Sequence, residues 1–349
     1  MIHRHRLILG LISTTTLLVG CAGTGQRPLS AVERQVPAPK QPPAPPPIHN
    51  VPLDPSLQAA ARAQLDAALG SNDPFIRSHA IEALNQTAGV QARGVYLNGL
   101  KDPSSQVRFT SAMAIGQLQI ADARDELLQL VNDPNARVRI AVRFALHRLG
   151  DTSYTKDLEQ TAKEPLVWQI RADTAMVLGM LKEPTAVRVL RPMQRDPQAA
   201  VRIQVAEALW RLGDEQGLRN LVAATQSAYP DDQMVALMGL AAPKDTRIMG
   251  HLRSSLTADY PEVCLVAARA MGMLGSDAGY AIAADLARSR DANQRMLAAL
   301  ALGAIGRPDA QPLLADLLKD RDSADIRLCA AQAILQLKPP TAPATARGE

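Results

Sequence analysis

The fold is decided by a stretch that recurs along the whole chain, and its clearest copy reads DPNARVRIAVRFALHRLGD at residues 133–151. The copies share an anchor position, which is usually arginine, and successive anchors lie 31 or 32 residues apart. The nine anchors are Arg77, Arg108, Arg139, Arg171, Arg202, Gln233, Cys264, Arg295 and Arg327. A fixed period of this length indicates one supersecondary unit copied along the chain, each copy burying its apolar face against its neighbours.

Each copy carries an amphipathic helix around its anchor. In the copy above, apolar residues precede Arg139 by one position and follow it by three, six, seven and ten positions. These offsets fall on one face of an α-helix. A second periodic stretch of about 11 to 14 residues separates one such helix from the next, and no alternating strand pattern is found. The sequence therefore predicts an all-α fold, an α-α superhelix or solenoid of about nine helix pairs with a 31-residue period.

Start and stop signals flank many of these helices. Asp-Pro pairs predict a capping carboxylate followed by proline at the first helical position; they begin at Asp73, Asp102, Asp133 and Asp196. Leu-Gly pairs predict glycine in a left-handed conformation at the helix end; their glycines are Gly150, Gly213 and Gly275.

The repeating unit resembles HEAT repeats, specifically the short HEAT-like repeats of the phycobilin lyase type, over roughly residues 57–338. The resemblance implies a hydrogen-bonded ladder in which acidic turn residues and anchor arginines join adjacent repeats. Its candidate pairs are Asp102/Arg108, Asp133/Arg139, Glu164/Arg171 and Asp196/Arg202. Gln233 and Cys264 replace the arginine, so we expect fewer charge-assisted bonds and a softer segment in those two repeats. The resemblance says nothing about activity, because such solenoids serve scaffolds and enzymes alike.

The amino terminus has the pattern of a secretory signal. Arg4 and Arg6 precede a short apolar stretch at Leu7–Val19, which is too short for a stable membrane span. It ends in Leu-Val-Gly-Cys at residues 18–21, which resembles a bacterial lipobox. The resemblance implies a signal peptide at residues 1–20 and acylation of Cys21; the alternative is an ordinary secretory signal. Because Ala22 rather than aspartate follows Cys21, it also implies the outer membrane, with the inner membrane and the cell surface as alternatives.

The flanks of the repeats lack helical pattern. Residues 21–55 hold the lipidated cysteine and a proline-rich stretch at Pro37–Pro47, which predicts an extended tether without a recognition role. Such a tether could hold the solenoid up to roughly 100 Å from the bilayer. The solenoid itself is expected at residues 56–338, followed by a disordered tail at 339–349.

Charge and cysteine content narrow the function further. The formal net charge of +4 comes without a dense basic run, which disfavours nucleic acid as a partner. Cys264 and Cys329 lie two repeats apart, so helix spacing puts them ~20 Å from one another, beyond the reach of a disulfide. We expect both to be buried thiols with no metal role.

No pattern in the sequence is typical of an enzyme. Some HEAT-like proteins are di-iron hydroxylases with paired His-Glu motifs, but none of the six histidines here is followed by glutamate. Nucleophile-elbow, phosphate-loop and haem-attachment motifs are also absent from the sequence. We therefore expect no catalytic residue, no metal, no cofactor and no small-molecule substrate. A lyase- or hydroxylase-like enzyme and a peptidoglycan- or glycan-binding protein are the alternatives.

A partner-binding surface is expected on the outward side of the anchor helices. Helical-wheel geometry places positions two, five and nine after the anchor toward solvent, and these turn apolar and methionine-rich in repeats four to eight. The alternative is that the solenoid buries this strip. With Trp210 as a groove-filler or aromatic anchor, the candidate binding residues are Met176, Met180, Glu207, Trp210, Arg211, Val235, Met238, Arg269, Met273 and Leu300.

Taken together, these patterns predict a lipid-anchored outer-membrane protein that faces the periplasm. Its solenoid surface would bind one or more envelope proteins as a non-catalytic scaffold or accessory factor. The membrane would be contacted through the lipid anchor.

Overall fold

Each anchor lies on a long helix of its own, and shorter helices connect these long helices. The structure is a computed structural model that describes residues 44–47, 51–162, 167–321 and 323–339. These residues form 18 α-helices, joined by short 3₁₀ turns, and no strand occurs among them. The all-α repeat fold predicted from the sequence is therefore confirmed.

The first helix is α1 (Pro55–Leu69). The nine long helices that carry the anchors are α2 (Pro74–Thr87), α4 (Ser105–Leu118), α6 (Ala136–Arg148), α8 (Trp168–Leu181), α10 (Ala199–Arg211), α12 (Pro230–Ala241), α14 (Pro261–Met273), α16 (Ala292–Ile305) and α18 (Ala324–Gln336). The helices between them are α3 (Arg93–Gly99), α5 (Arg124–Gln129), α7 (Thr155–Thr161), α9 (Ala186–Met193), α11 (Glu215–Ala224), α13 (Met249–Ser254), α15 (Tyr280–Leu286) and α17 (Gln311–Leu318). These connecting helices have 6 to 10 residues, fewer than the periodicity predicted.

Helix starts differ from the prediction in three of four cases. Asp73 caps α2 as expected, since its carboxylate accepts a hydrogen bond of 2.9 Å from the amide of Phe75, and Pro74 is the first helical residue. In contrast, α4 begins after Ser104 and α6 after Asn135, so Asp102 and Asp133 lie two residues too early to cap these helices. The pair at 196 precedes α10 in the same way.

Helix ends follow the prediction more closely. Gly150, Gly213 and Gly275 have φ angles of 95°, 80° and 85°, in the left-handed region that glycine enters without strain. The predicted glycine stops are therefore confirmed.

The described residues divide into two compact units. One unit comprises Ser71–His251, and the other combines the segment ending at Gly70 with the chain from Leu252 onward. Within the first unit, each long helix from α2 to α12 packs against the next long helix. Within the second, α14, α16 and α18 pack in the same order, and α1 packs on α18. The register of the repeats, unbroken across residue 251, does not predict this division.

Arginine–aspartate bonds join neighbouring repeats, but in a different register from the one expected. The guanidinium of Arg108 donates to both carboxylate oxygens of Asp133 in the following repeat, at 2.8 and 3.0 Å. Toward Asp102, the expected partner, it donates only to the backbone carbonyl, at 3.0 Å. The same reach across 25 residues joins Arg77 to Asp102, Arg171 to Asp196 and Arg295 to Asp320.

The displaced caps explain this register. Because Asp102 does not cap α4, its carboxylate accepts one bond from the amide of Ser104 and two from the guanidinium of Arg77. Burial alone would raise the pKa of Asp102, but the bonds from Arg77 and Ser104 outweigh it and lower the pKa below its ordinary value. The aspartate therefore links two repeats and the start of a helix at once. Glu164, expected to pair with Arg171, lies outside the described residues.

The ladder is interrupted in the middle of the chain. Gln233 donates to the carbonyl of Ser227, and the thiol of Cys264 lies 3.3 Å from the carbonyl of Ala258, so both retain only the backbone bond of the anchor. Arg202 likewise bonds the carbonyl of Asp196, and a serine stands 25 residues later, where other repeats have aspartate. Fewer charge-assisted bonds form at Gln233 and Cys264, as predicted.

The end of the proline-rich segment is bound to the second unit rather than free. Arg307 donates to the carbonyls of Pro46 and Pro47, and Gln311 donates to the carbonyl of Pro52. The amide of Asp54 donates in turn to the side-chain oxygen of Gln311 at 2.6 Å. Proline carbonyls accept these hydrogen bonds even though proline has no amide to donate. The absence of a recognition role in the tether stays a prediction.

The sequence also led to predictions for the two cysteines, for Cys21 and for the tail. Cys264 and Cys329 are buried as predicted, and burial raises the pKa of the Cys264 thiol. None of the helices in the described ranges is long and apolar enough to cross a membrane. Cys21 and the tail after residue 339 lie outside the described residues, so their assignments stay predictions.

Candidate functional site

The predicted partner-binding strip is mostly buried. Five of its residues are 2 to 6% exposed, namely Met176, Trp210, Met238, Arg269 and Leu300. The other five are half-buried, namely Met180, Glu207, Arg211, Val235 and Met273. The expectation of an exposed strip is therefore wrong for the first group, and no member of the second is fully exposed.

The reason is that neighbouring helices enclose the long helices on most sides. In α14 every residue from Val263 to Gly272 is buried. A helix of this kind is enclosed rather than exposed on one face. Positions two and five after the anchor are thus interior, even when they are charged: Asp173 is fully buried and is bonded by Arg137. Burial raises the pKa of Asp173, while the Arg137 guanidinium favours its charged form.

Trp210 fills space between neighbouring helices. Its side chain is 4% exposed, and its indole nitrogen donates to the carbonyl of Leu240 on α12 at 3.3 Å. The guanidinium of Arg247 lies 5.5 Å from the indole ring, within cation–π distance. Trp210 is therefore a groove-filling residue, which leaves little of it for a partner.

Position nine after the anchor remains accessible, and there the structure forms a groove. Four consecutive repeats contribute Gln117, Arg148, Met180 and Arg211 from this position, each in the last turn of its helix. We call it the basic groove, and its lining residues are Gln117, Phe144, Arg148, Met180, Lys182 and Arg211. Two predicted site residues, Met180 and Arg211, are thus brought together, while the other eight lie elsewhere.

Close helix packing positions these side chains. A Cβ atom on Gly116 would lie 2.8 Å from the Cα of Ala145, and one on Gly179 would lie 2.5 Å from the Cα of Ala208. Both glycines immediately precede a position-nine residue. Because a side chain at either glycine would push the helices apart, glycine fixes the spacing of the row above it.

Hydrogen bonds orient parts of the groove. The side-chain nitrogen of Asn85 donates to the amide oxygen of Gln117 at 2.6 Å. Nε of Arg148 lies 3.4 Å from the carbonyl of Gly116, a long bond that occupies one edge of the guanidinium. Arg211 is held by the carboxylate of Glu207, one turn earlier on the same helix, at 2.8 Å.

Unlike Arg148 and Arg211, Lys182 does not come from position nine. It directly follows the last residue of α8. Its φ angle of 57° is left-handed, and its side chain is exposed. No carboxylate forms an ion pair with Lys182 or Arg148 in the part of the chain that the structure describes. The groove therefore combines an apolar floor, from Phe144 and Met180, with three cationic groups.

The sequence prediction left out Gln117, Phe144, Arg148 and Lys182, because it selected positions in repeats four to eight that are apolar or lie beside Trp210. Aligning position nine across the repeats would have shown the row of glutamine, arginine, methionine and arginine. Phe144, at position five, was expected to face outward, and its ring is instead part of the packed floor. Metal chemistry has no support in this region: within the described ranges, no three His, Cys, Asp or Glu side chains lie together as a metal site would need.

Two solved structures are similar to parts of this chain. One chain in the complex of CpcE and CpcF of phycocyanin lyase from Nostoc sp. is 19% identical to this chain, with a TM-score of 0.45. The match covers 68% of this chain and 97% of the chain from the complex. Human deoxyhypusine hydroxylase is 18% identical, with a TM-score of 0.39, over 72% of this chain and 98% of that one. At this distance the likeness concerns the fold alone. No curated protein sequence matches the chain.

The family comparison is more direct. A profile of HEAT repeats matches residues 95–178, 167–241 and 249–335, which together span more than half of the chain. This protein belongs to the HEAT-repeat family.

Proposed function

We propose that this chain is a non-catalytic protein-interaction scaffold, or an accessory factor, of the bacterial cell envelope. In this proposal acyl chains on Cys21 hold it to the outer membrane, with its repeats in the periplasm. The observation that carries the proposal is the basic groove, which four consecutive repeats build from equivalent positions. Stacked repeats create extended surfaces of this kind, and such proteins use them to bind partners.

The composition of the groove suits contact with a protein. Its volume of 260 Å³ is smaller than the roughly 300–1,000 Å³ of pockets that enclose small ligands. The thioether of Met180 adapts to differently shaped apolar groups. Arginine is enriched in protein interfaces, because its planar guanidinium can bind carboxylates with two parallel hydrogen bonds.

Photo-crosslinking in intact cells tests the scaffold role. A photoreactive amino acid is placed at Lys182 in the basic groove, and at Lys101 as a control that is also exposed and lies in the same unit. We expect a discrete crosslinked protein at Lys182 that is missing or much weaker at Lys101. Adducts of equal yield at both positions, or at neither, would contradict the proposal.

The lipid anchor is tested separately with radiolabelled palmitate. The wild-type chain should incorporate label and fractionate with the outer membrane, whereas Cys21→Ser should do neither. Several acyl chains anchor a protein stably. An unlabelled wild-type protein would show instead that the amino terminus is an ordinary secretory signal.

A further inference from the structure

The basic groove carries a surplus of positive charge. Of its three cations, Arg211 is paired with Glu207 at 2.8 Å. Arg148 and Lys182 make no ion pair among the described residues. Glu183, which follows Lys182 in the chain, lies 3.2 Å from the imidazole of His147. Among the described residues, two cations therefore lie beside an apolar floor with no ion-pair partner.

The position of Lys182 in the backbone adds to this observation. Eleven residues after the anchor, four other repeats have a glycine with positive φ, namely Gly150, Gly213, Gly275 and Gly306. Lys182 occupies the equivalent site with φ 57°, a conformation that strains a residue with a Cβ atom, and Gln119 and Lys244 do the same in two other repeats with φ angles of 53° and 60°. The lysine is thus placed at the edge of the groove where glycine would fold more easily.

From this charge and geometry we propose that the basic groove binds an extended, acidic segment of a partner protein, with carboxylates on every third residue. The proposal rests on the scaffold function and specifies the chemistry of its partner. Carboxylates would bind Arg148 and Lys182 through charge-assisted hydrogen bonds. Apolar or small side chains between them would contact Met180, which is half-buried.

The spacing follows from the stacking of the repeats. Neighbouring packed helices lie about 8–10 Å apart, and Arg148, Lys182 and Arg211 come from three consecutive repeats. An extended segment in the polyproline II conformation rises about 3.1 Å per residue and brings every third side chain to the same face. One step along the groove therefore corresponds to about three residues of an extended partner. Gln117, whose Nε2 makes no hydrogen bond within the described part of the chain, can donate to the backbone of that partner.

If these cations had only a structural role, the expected results would be different. Cations near a helix carboxyl terminus are stabilised by the unpaired carbonyls of the last turn. If Arg148 and Lys182 served only this purpose, replacing them would lower the thermal unfolding midpoint and leave binding unaffected. The experiment therefore measures both quantities.

The test uses the mature full-length protein in detergent and a fluorescein-labelled peptide of four Glu-Ser-Ala triplets. A matched peptide has glutamine in place of glutamate. The groove variant combines Arg148→Gln with Lys182→Gln. Its control combines Lys101→Gln with Lys156→Gln, which removes the same charge from two exposed lysines of the same unit.

We expect the glutamate peptide to bind at least about tenfold more weakly to the groove variant than to the wild type, and less than about twofold more weakly to the control variant. Binding should also weaken as salt rises, because exposed charges are screened. Three results would overturn the proposal: equal loss in both variants, equal binding of the glutamine peptide, or unchanged binding with a lowered unfolding midpoint. Binding of anionic phosphatidylglycerol vesicles in preference to the peptide would assign the groove to membrane lipid instead.

Crosslinking in cells separates this inference from the scaffold function. With the photoreactive group moved to Gln117, the groove variant should lose the protein that the wild type captures. If the variant captures that protein equally well, the acidic-segment proposal fails and the scaffold function stands. If the wild type captures nothing at Gln117 or Lys182, the scaffold function itself fails.

Discussion

The guanidinium of Arg307 donates a hydrogen bond of 2.7 Å to the carbonyl oxygen of Pro46, although the two residues are 261 positions apart in the chain. A second bond of 2.9 Å reaches Pro47. Arg307 is 3% exposed, and its guanidinium lies 4.0 Å from the ring of Tyr280 and pairs with Asp309. Burial and the carboxylate of Asp309 raise the pKa of Tyr280 to about 12, so this tyrosine stays neutral.

Replacing Arg307 with alanine should release the proline-rich segment. The variant loses both bonds to the proline carbonyls and leaves Asp277 and Asp309 without their cation. We expect a loss of stability of about 1.5–3 kcal/mol, because hydrogen bonds to a charged group are lost while the two part-exposed carboxylates can be solvated. Hydrogen exchange measured on peptides covering residues 51–57 should become faster, since the amide of Asp54 is held through Gln311 next to this contact.

Arg321→Ala is the matched control, as Arg321 is exposed and lies in the same unit. It should leave both the exchange rate and the unfolding midpoint near their wild-type values. Unchanged exchange in Arg307→Ala would mean that the segment is held by other contacts.

Removing one aspartate of the ladder should destabilise two repeats together. Asp102→Ala deletes the carboxylate that binds Arg77 and the amide of Ser104. Bonds to charged groups contribute about 1.5–3 kcal/mol each, so we expect a loss of about 2–3 kcal/mol after partial replacement by water. Denaturant unfolding gives this value, and Asp66→Ala serves as control, because no ion pair of Asp66 occurs in the described part of the chain. A loss below about 0.5 kcal/mol would contradict a structural role for the ladder.

Restoring a missing aspartate should stabilise the chain. Ser227→Asp places a carboxylate 25 residues after Arg202, which is the spacing of the complete pairs. The amide of Tyr229 already donates to the Ser227 hydroxyl and can donate to the new carboxylate. The Ser227 hydroxyl also donates to the carboxylate of Asp232 at 3.0 Å, so this variant and its control both carry Asp232→Asn to avoid two adjoining carboxylates. Relative to Asp232→Asn alone, we expect a gain of about 0.5–2 kcal/mol. Ser227→Asn supplies the shape without the charge, so a gain of the same size in this variant would rule out the ion pair as its cause.

The ladder should also shape the response to acid. Bonds from Arg77 and Arg171, acting against burial, lower the pKa of Asp102 and of Asp196 from the ordinary value of 3.8. A lowered folded-state pKa means that the stabilisation is complete above the ordinary pKa and is lost as pH falls through the folded value. The thermal unfolding midpoint should therefore decrease as the pH is lowered below about 4. In Asp102→Asn/Asp196→Asn it should be lower at pH 7 and approach the wild type as pH decreases. A gap between the two curves that stays constant from pH 7 to pH 2 would contradict this origin.

The glycines under the basic groove should tolerate no side chain. Gly179→Ala would put a Cβ atom 2.5 Å from the Cα of Ala208, a contact that only a helix shift can relieve. We expect a loss of about 1–3 kcal/mol from overpacking, together with weaker binding of the acidic peptide. Gly94→Ala is the control, since nothing lies within 4 Å of the position of its new Cβ atom. Equal stability of the two alanine variants would show that helix spacing is not set by Gly179.

Much of the fold follows from local patterns in the sequence. The anchors at 31- or 32-residue spacing identify nine long helices, and each anchor lies on one of them. Periodicity reports the apolar face of a helix, and left-handed glycines report its end, because both depend on residues close in sequence. These features therefore needed no knowledge of how repeats contact one another.

Long-range contacts decided the rest. Asp102 has the local sequence of a helix cap, but its carboxylate binds Arg77 in the preceding repeat, which only the packed arrangement of repeats makes accessible. Pro46 reads as part of a flexible spacer, because the residue that binds it, Arg307, lies near the other end of the chain.

The candidate site shows the same division. The sequence identified Met180 and Arg211, which are accessible at position nine, and wrongly expected Met176 and Met238 to be exposed at position five. A wheel assigns directions relative to one helix axis, whereas burial depends on which neighbours enclose that helix. By itself the sequence determined the repeat and its period, because these are local and periodic. The groove, the ladder register and the bound proline segment were decided by tertiary packing, because each requires side chains from separate repeats to meet.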